Sequence, residues 1–245
     1  MFVGVSDEVF RDVTAGAFLQ KFPAGTTLLM EGDEVDFLYV LLDGAVELGG
    51  SWRDKDTVLA ILRPVSMFIL AAVVLDTDAL MSAQTLERSD ILMLSGEAFR
   101  RAMKRDAHFA TAVSEELAGC YRGVVRALKN QKLRGGAERL ASYLISLRER
   151  QGGGQTFTLP YEKRTLASLL GMTPENLSRA FTTLADYGAN MNGREITITR
   201  PAVLERLAKP DRLMDNLPAE IPGGETQAQL ERRSAAAAGG NDQWP

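Results

Sequence analysis

The chain has 245 residues, a hydrophobic share of 45% and a charged share of 24%, enough apolar material for two domains with their own cores. No apolar run approaches about 18 residues, which argues against a membrane-spanning helix, and the acidic start MFVGVSDEVF lacks the basic segment of a secretory leader. One cysteine, Cys120, excludes an internal disulfide and a cysteine-ligated iron–sulfur cluster within one chain, so the expected compartment is the cytoplasm.

In chain order, residues from about 18 to 96 read as short strands. Turns at Glu31-Gly32-Asp33, Asp43-Gly44 and Gly49-Gly50 separate the runs Phe22 to Met30, Phe37 to Leu42 and Ala45 to Leu48. Arg53 to Asp56 is a polar hairpin tip, Asp90 to Leu94 a last strand, and Gly96 to Lys104 a short helix. Turn signals every ten or so residues suggest an antiparallel β-roll over 1–106. A long helix follows over 107–133. Its apolar seam is Phe109, Val113, Leu117, Cys120, Tyr121, Val124 and Leu128, in alternating steps of three and four. Packing on the chain's own roll explains part of that stripe, and a parallel homodimer seam explains the rest. Gly135-Gly136 can act as a hinge before a helix over Ala137 to Arg148, with Leu140, Tyr143, Leu144 and Leu147 inward. A strand is expected over Thr156 to Leu159, and the composition after about Lys209 suggests a disordered tail, 209–245.

The most informative stretch lies between, in 134–208. Leu166, Leu169 and Leu170 recur at helical spacing before Gly171, which supplies a tight turn. Thr173 has the side-chain oxygen of an N-cap, and Pro174 sits where the first helical N–H has no partner in any case. The next helix buries Leu177, Phe181 and Leu184 and exposes Glu175, Ser178, Arg179 and Thr182 at i, i+3, i+4 and i+7. That stripe belongs to the part of a recognition helix that meets base edges in a major groove. With Asn176 beside it and Arg194 at the turn before the wing strand Glu195 to Thr199, it forms the candidate DNA-contacting set: a winged helix-turn-helix. The competing reading is a small helical subdomain with a merely solvated polar face.

Charge favours the first. Residues 1–108 carry 10 Lys/Arg against 17 Asp/Glu, whereas 121–150 carry 8 against 2 and 161–200 carry 5 against 4. The overall charge of −4 therefore hides a basic region before and within the DNA reader. No phosphate loop, histidine-rich metal spacing or Ser-His-Asp set can be assembled with one histidine, so the chain does not read as an enzyme.

The segments PAGTTLLMEGD, FLYVLLDGAVEL and GMTPENLSRAF, in this order, resemble the CRP/FNR family of bacterial transcription regulators over about residues 15–208. The resemblance implies an α+β chain: a β-roll like that of cyclic-nucleotide-binding domains, a dimer helix, and a winged helix-turn-helix acting on promoter DNA beside RNA polymerase, as an activator. FNR-type members carry Glu-x-x-Ser-Arg on the recognition helix. Glu175, Ser178 and Arg179 match it, which implies a TTGAT-like half-site; Pro174 stands where TGTGA readers have a further Arg.

Two departures concern the signal. Members that bind cyclic nucleotides hold the phosphate with a Gly-Glu turn and an Arg, and here Ile69, Leu70 and Met81 occupy those positions. The N-terminal cysteine cluster of oxygen-sensing members is missing too. An apolar effector pocket of Met67, Ile69, Leu70 and Met81 is then the expectation. It holds either haem with a diatomic gas, ligated by His108, or no ligand at all, leaving control to the protein's own expression or to redox state at Cys120.

Overall fold

The computed structural model describes residues 5–215. Two four-stranded antiparallel sheets build the N-terminal roll. One has the order β1 (Phe18–Phe22), β8 (Ser89–Ser95), β3 (Phe37–Asp43), β6 (Ser66–Phe68); the other has the order β2 (Thr27–Leu29), β7 (Ser82–Thr85), β4 (Val46–Trp52), β5 (Lys55–Leu62). Successive side chains on a strand point to opposite faces, and β3 buries both. Tyr39 and Leu41 join Leu29, Val46, Leu48, Leu62 and Ile91 between the sheets, whereas Leu38 and Val40 belong to a second core under the helices. That two-sided burial explains why the run 38–41 is apolar throughout rather than alternating. The Asp43-Gly44 turn requires its glycine: φ is +95°, and an added Cβ would lie 2.3 Å from Ser89 Oγ.

Helices α1 (Asp7–Thr14), α2 (Leu70–Leu75), α3 (Gly96–Arg105) and the start of α4 (Ala107–Leu133) cover the outer face of β3 and β8. Ser95 and Asp106 cap α3 and α4, accepting hydrogen bonds from the N–H groups of Ala98 and Phe109. Neither α1 nor α2 is expected from the sequence. The long helix has the expected bounds, but its apolar stripe divides. Phe109 and Val113 are fully buried against the chain's own roll, Phe109 meeting Phe99 edge-on at 5.1 Å, and Leu117 packs at the margin of that core. Tyr121, Val124 and Leu128 are exposed, Tyr121 to 70%. The first two seam residues are therefore corrected to core of a single chain. Only the distal part of the stripe remains open to a second copy.

Beyond the junction at Arg134-Gly135 lies a third core, built by α5 (Gly136–Arg150), β9 (Thr156–Thr158), α6 (Lys163–Leu169), α7 (Pro174–Asp186), the hairpin β10 (Ala189–Asn192) and β11 (Glu195–Ile198), and α8 (Pro201–Ala208). The hairpin joins β9 in the order β10-β11-β9. The two halves of the chain touch. Strand β5 is an edge strand, and its Val58 N–H donates to Ser168 Oγ on α6 at 2.7 Å, while the Arg63 guanidinium lies 5.6 Å from the centre of the Tyr161 ring.

The expected disordered tail is corrected in part. Residues 209–215 form an ordered turn held by Asp211 and Asp215, because a buried arginine supplies the anchor that composition does not reveal. The remainder of that expectation, 216–245, lies outside the described residues.

Because Phe109 is filled around by its own chain, Phe109→Ala should lower unfolding stability by about 3–5 kcal/mol whether or not a second copy is present. Urea unfolding at several protein concentrations checks this; a loss below about 1 kcal/mol would place the ring outside the core.

Candidate nucleic-acid interface

The DNA reader is positioned from the inside. Leu177, Ala180, Phe181 and Leu184 of α7 sink into the core with Leu166, Ala167 and Leu170 from α6 and the segment after it. The turn between the helices passes through Gly171 at φ +62°, a conformation that costs a residue with a Cβ roughly 1–2 kcal/mol. Thr173 Oγ1 accepts from Asn176 N–H at 3.2 Å, and Pro174 begins the helix without a lost hydrogen bond.

With one face fixed in the core, the other faces solvent. Glu175, Asn176, Ser178, Arg179 and Thr182 are all exposed, along with Thr173. The Glu175 carboxyl is held below its usual range, first by its own backbone N–H at the helix start, then by the Thr173 hydroxyl and the Arg179 charge. It is thus ionised at neutral pH, an acceptor suited to cytosine N4–H, while Arg179 offers the fork that fits guanine O6 and N7. Ser178 and Thr182 donate their hydroxyl protons to the Pro174 and Ser178 carbonyls at 3.0 and 3.2 Å, which leaves oxygen lone pairs facing outward.

Arg194 has partners within the chain that its expected role does not include. Its Nε and Nη2 donate to the Leu159 carbonyl at 3.1 and 2.9 Å, and Nη2 also reaches Pro160 O at 2.7 Å. The guanidinium of this exposed residue therefore braces the wing turn against the approach to α6. Lys163 and Arg164, which the sequence reading counted as charge without singling them out, are exposed on the first turn of α6. Their position at a helix start beside the recognition helix is the signal that could have found them.

The five residues of the expected effector pocket do not converge. Ile69 and Met81 belong to the core between the sheets, Met67 and Leu70 to the core under the helices, and His108 is exposed at the start of α4. The space between the sheets is filled by the chain's own side chains, with the Tyr39 and Phe68 rings stacked at 5.1 Å. Ile69 is held in the left-handed region at φ +66°, so the bend that leads into α2 persists with a β-branched side chain at its apex. An anionic phosphate there would meet the uncharged side chains of Ile69, Leu70 and Met81 in place of the Gly-Glu turn and Arg of nucleotide-binding members, and a haem among these side chains would find no imidazole. The residues fit neither group. On α4, burial and the neighbouring Glu116 raise the Cys120 thiol above its ordinary pKa, the reverse of what a reactive thiolate needs.

Among the described residues no helix is long and apolar enough to cross a membrane, and no group of three or more His, Cys, Asp or Glu is placed to hold a metal ion. Comparison with known proteins decides the family. A cyclic nucleotide-binding domain model matches residues 19–106 and a Crp-like helix-turn-helix domain model matches 138–207. The chain belongs to the CRP/FNR family of transcription regulators. The nitrogen fixation regulation protein FixK of Rhizobium meliloti is 28% identical over 192 residues, 76% of this chain and 85% of FixK. A CRP-like cAMP-activated global transcriptional regulator of Mycobacterium tuberculosis is 24% identical over 215 residues, 85% of this chain and 96% of its own. The solved structure of FixK2 from Bradyrhizobium japonicum shares the fold with a TM-score of 0.67 at 20% identity, covering 78% of this chain and 96% of that one. As a CRP/FNR-type regulator the protein carries a DNA-binding helix-turn-helix, and its relatives are regulators rather than enzymes.

Proposed function

We propose that this regulator binds an FNR-like palindrome as a homodimer, with base readout by Glu175, Ser178 and Arg179, and that it does so without a bound cyclic nucleotide or haem. The observation that carries the readout is the stripe of exposed polar groups on the capped N-terminal half of α7, whose opposite face is locked in the core. Thr173, Asn176 and Thr182 extend the same surface, and Lys163 and Arg164 supply phosphate contacts. Two such helices must sit about one turn of DNA apart, about 34–36 Å, to engage a palindrome. The distal stripe of α4, half-buried at Leu117 and Cys120 and exposed at Tyr121, Val124 and Leu128, supports the parallel seam that would place them so. Activation of transcription, contact with RNA polymerase and a cytoplasmic location follow from the family expectation.

Independence from an effector rests on the filled roll. The Mycobacterium tuberculosis relative is named for activation by cAMP. This chain presents Ile69, Leu70 and Met81 at the corresponding positions, all uncharged and engaged in two separate cores. Division of the chain into a roll over 1–106, a dimer helix over 107–133 and a DNA-binding domain over 134–208 completes the proposal.

Arg179→Ala should weaken binding to the operator by about 1–3 kcal/mol and leave affinity for random duplex nearly unchanged. Fluorescence anisotropy on both duplexes at several salt concentrations measures the difference, and an equal loss on both would count against base readout. Leu128→Glu places a charge on the exposed distal stripe and should yield a folded monomer with poor operator affinity. Light scattering that still shows a dimer would remove the seam. Calorimetry with cyclic AMP should give no heat of binding at micromolar concentrations; a micromolar dissociation constant would overturn the effector-independent reading.

A further inference from the structure

At the junction of α4 and α5 the chain buries a charge. The Arg134 side chain is 5% exposed, and its guanidinium is closed in by groups from four places. Nη1 reaches Asn130 Oδ1 at 3.2 Å on α4 and Ser142 Oγ at 3.3 Å on α5. Nη2 donates to the Lys209 carbonyl at 3.0 Å. Asp215 then grips the fork with both oxygens, at 2.5 and 2.6 Å. Such bidentate pairing is the strongest geometry available to these two groups, and a buried guanidinium left without its counter-charge is costly.

Asp215 is itself fixed in place. Its carboxylate accepts from Ser142 Oγ at 2.8 Å and from Asp211 N–H at 2.6 Å. Burial alone would raise this carboxyl, yet hydrogen bonds from Arg134, Asp211 and Ser142 outweigh it and hold the group below the usual range. Lys209, at φ +47°, ends α8 and turns the chain back to the junction. Its ammonium meets Glu138 Oε1 at 2.7 Å, and Glu138 Oε2 accepts from Gly135 N–H at 2.8 Å. Leu213 O accepts from Arg126 Nε, one turn before Asn130 on α4.

We propose that residues 209–215 are a clasp that sets the angle between the long helix and the DNA-binding domain, with Asp215 as its closing group. The clasp touches α4, the junction and α5 at once, so any swing at Gly135-Gly136 must break it. The angle passes on to the recognition helix through Arg139, which donates to Arg134 O at 2.6 Å behind the junction and to Leu170 O at 2.9 Å at the turn before α7. In a dimer the clasp therefore governs the distance between the two recognition helices. It reaches both elements without involving the roll.

The test uses the full chain with Asp215→Ala, and with the paired variant Arg134→Met/Asp215→Leu, which removes both charges and so avoids an orphaned arginine. Hydrogen exchange of the amides over 131–139 should speed up by about tenfold in Asp215→Ala while the cores of the roll and the DNA-binding domain keep their protection. On palindromes whose half-sites are moved apart by one or two base pairs, the wild-type preference for a single spacing should shrink by about tenfold, with random-duplex binding unchanged. If both variants keep wild-type junction exchange and wild-type spacing preference, the clasp is overturned. The exchange measurement decides it even if the wild type prefers no palindrome, a result that would instead sink the homodimer reading on which the spacing arm rests.

Discussion

A helix of 27 residues is about 40 Å long, and no single roll of this size can cover it. The docking of Phe109 and Val113 against Leu38, Leu94 and Phe99 fixes which part is covered. Everything distal follows from that anchor. The helix leaves the roll in a set direction, its remaining apolar residues emerge into solvent, and its far end leads into the DNA-binding domain, which also meets the roll at β5. The same contact accounts for α3: a short amphipathic helix capped by Ser95 and followed at once by the Asp106 cap of α4 turns the chain at the place where the aromatic pair can meet.

What the sequence disclosed was whatever depends on local periodicity and on caps. The bounds of α4, the turn at Gly171, the Thr173-Pro174 start and the buried Leu177-Phe181-Leu184 face are all legible because each is settled within a few residues. The division of the long seam was not, because spacing cannot distinguish a stripe facing its own roll from one facing a second copy. Helix α2 was hidden by an apolar run without amphipathic alternation, entered through Ile69 in a left-handed conformation that residue type argues against. The wing-bracing bonds of Arg194 were hidden because its partners are carbonyl oxygens 35 and 34 positions away. Arg134 and Asp215, 81 residues apart, were invisible for the same reason. Composition suggests a loose segment from Lys209 on, yet one carboxylate with a buried partner is enough to hold 209–215 in place.

A fold does not by itself fix the chemistry of its sites, and the roll has to be read from the residues it places there. Its sequence matches the cyclic nucleotide-binding domain model, while Ile69 and Met81 belong to the core between the sheets and Leu70 to the core under the helices. On the proposed effector-independent reading, regulation would act at the joints, where charges and hydrogen bonds such as those of Arg134 and Asp215 hold the arrangement.

The contact between β5 and Ser168 has a bearing on solubility. An edge strand presents unpaired N–H and C=O groups to any strand that drifts past, and sheets must be guarded against such pairing. In this chain α6 of the DNA-binding domain lies against that edge, and its Ser168 hydroxyl accepts the Val58 amide. The two halves of the molecule are therefore not independent modules strung on a helix. One shields the other's sticky margin, and detaching them would leave the margin bare.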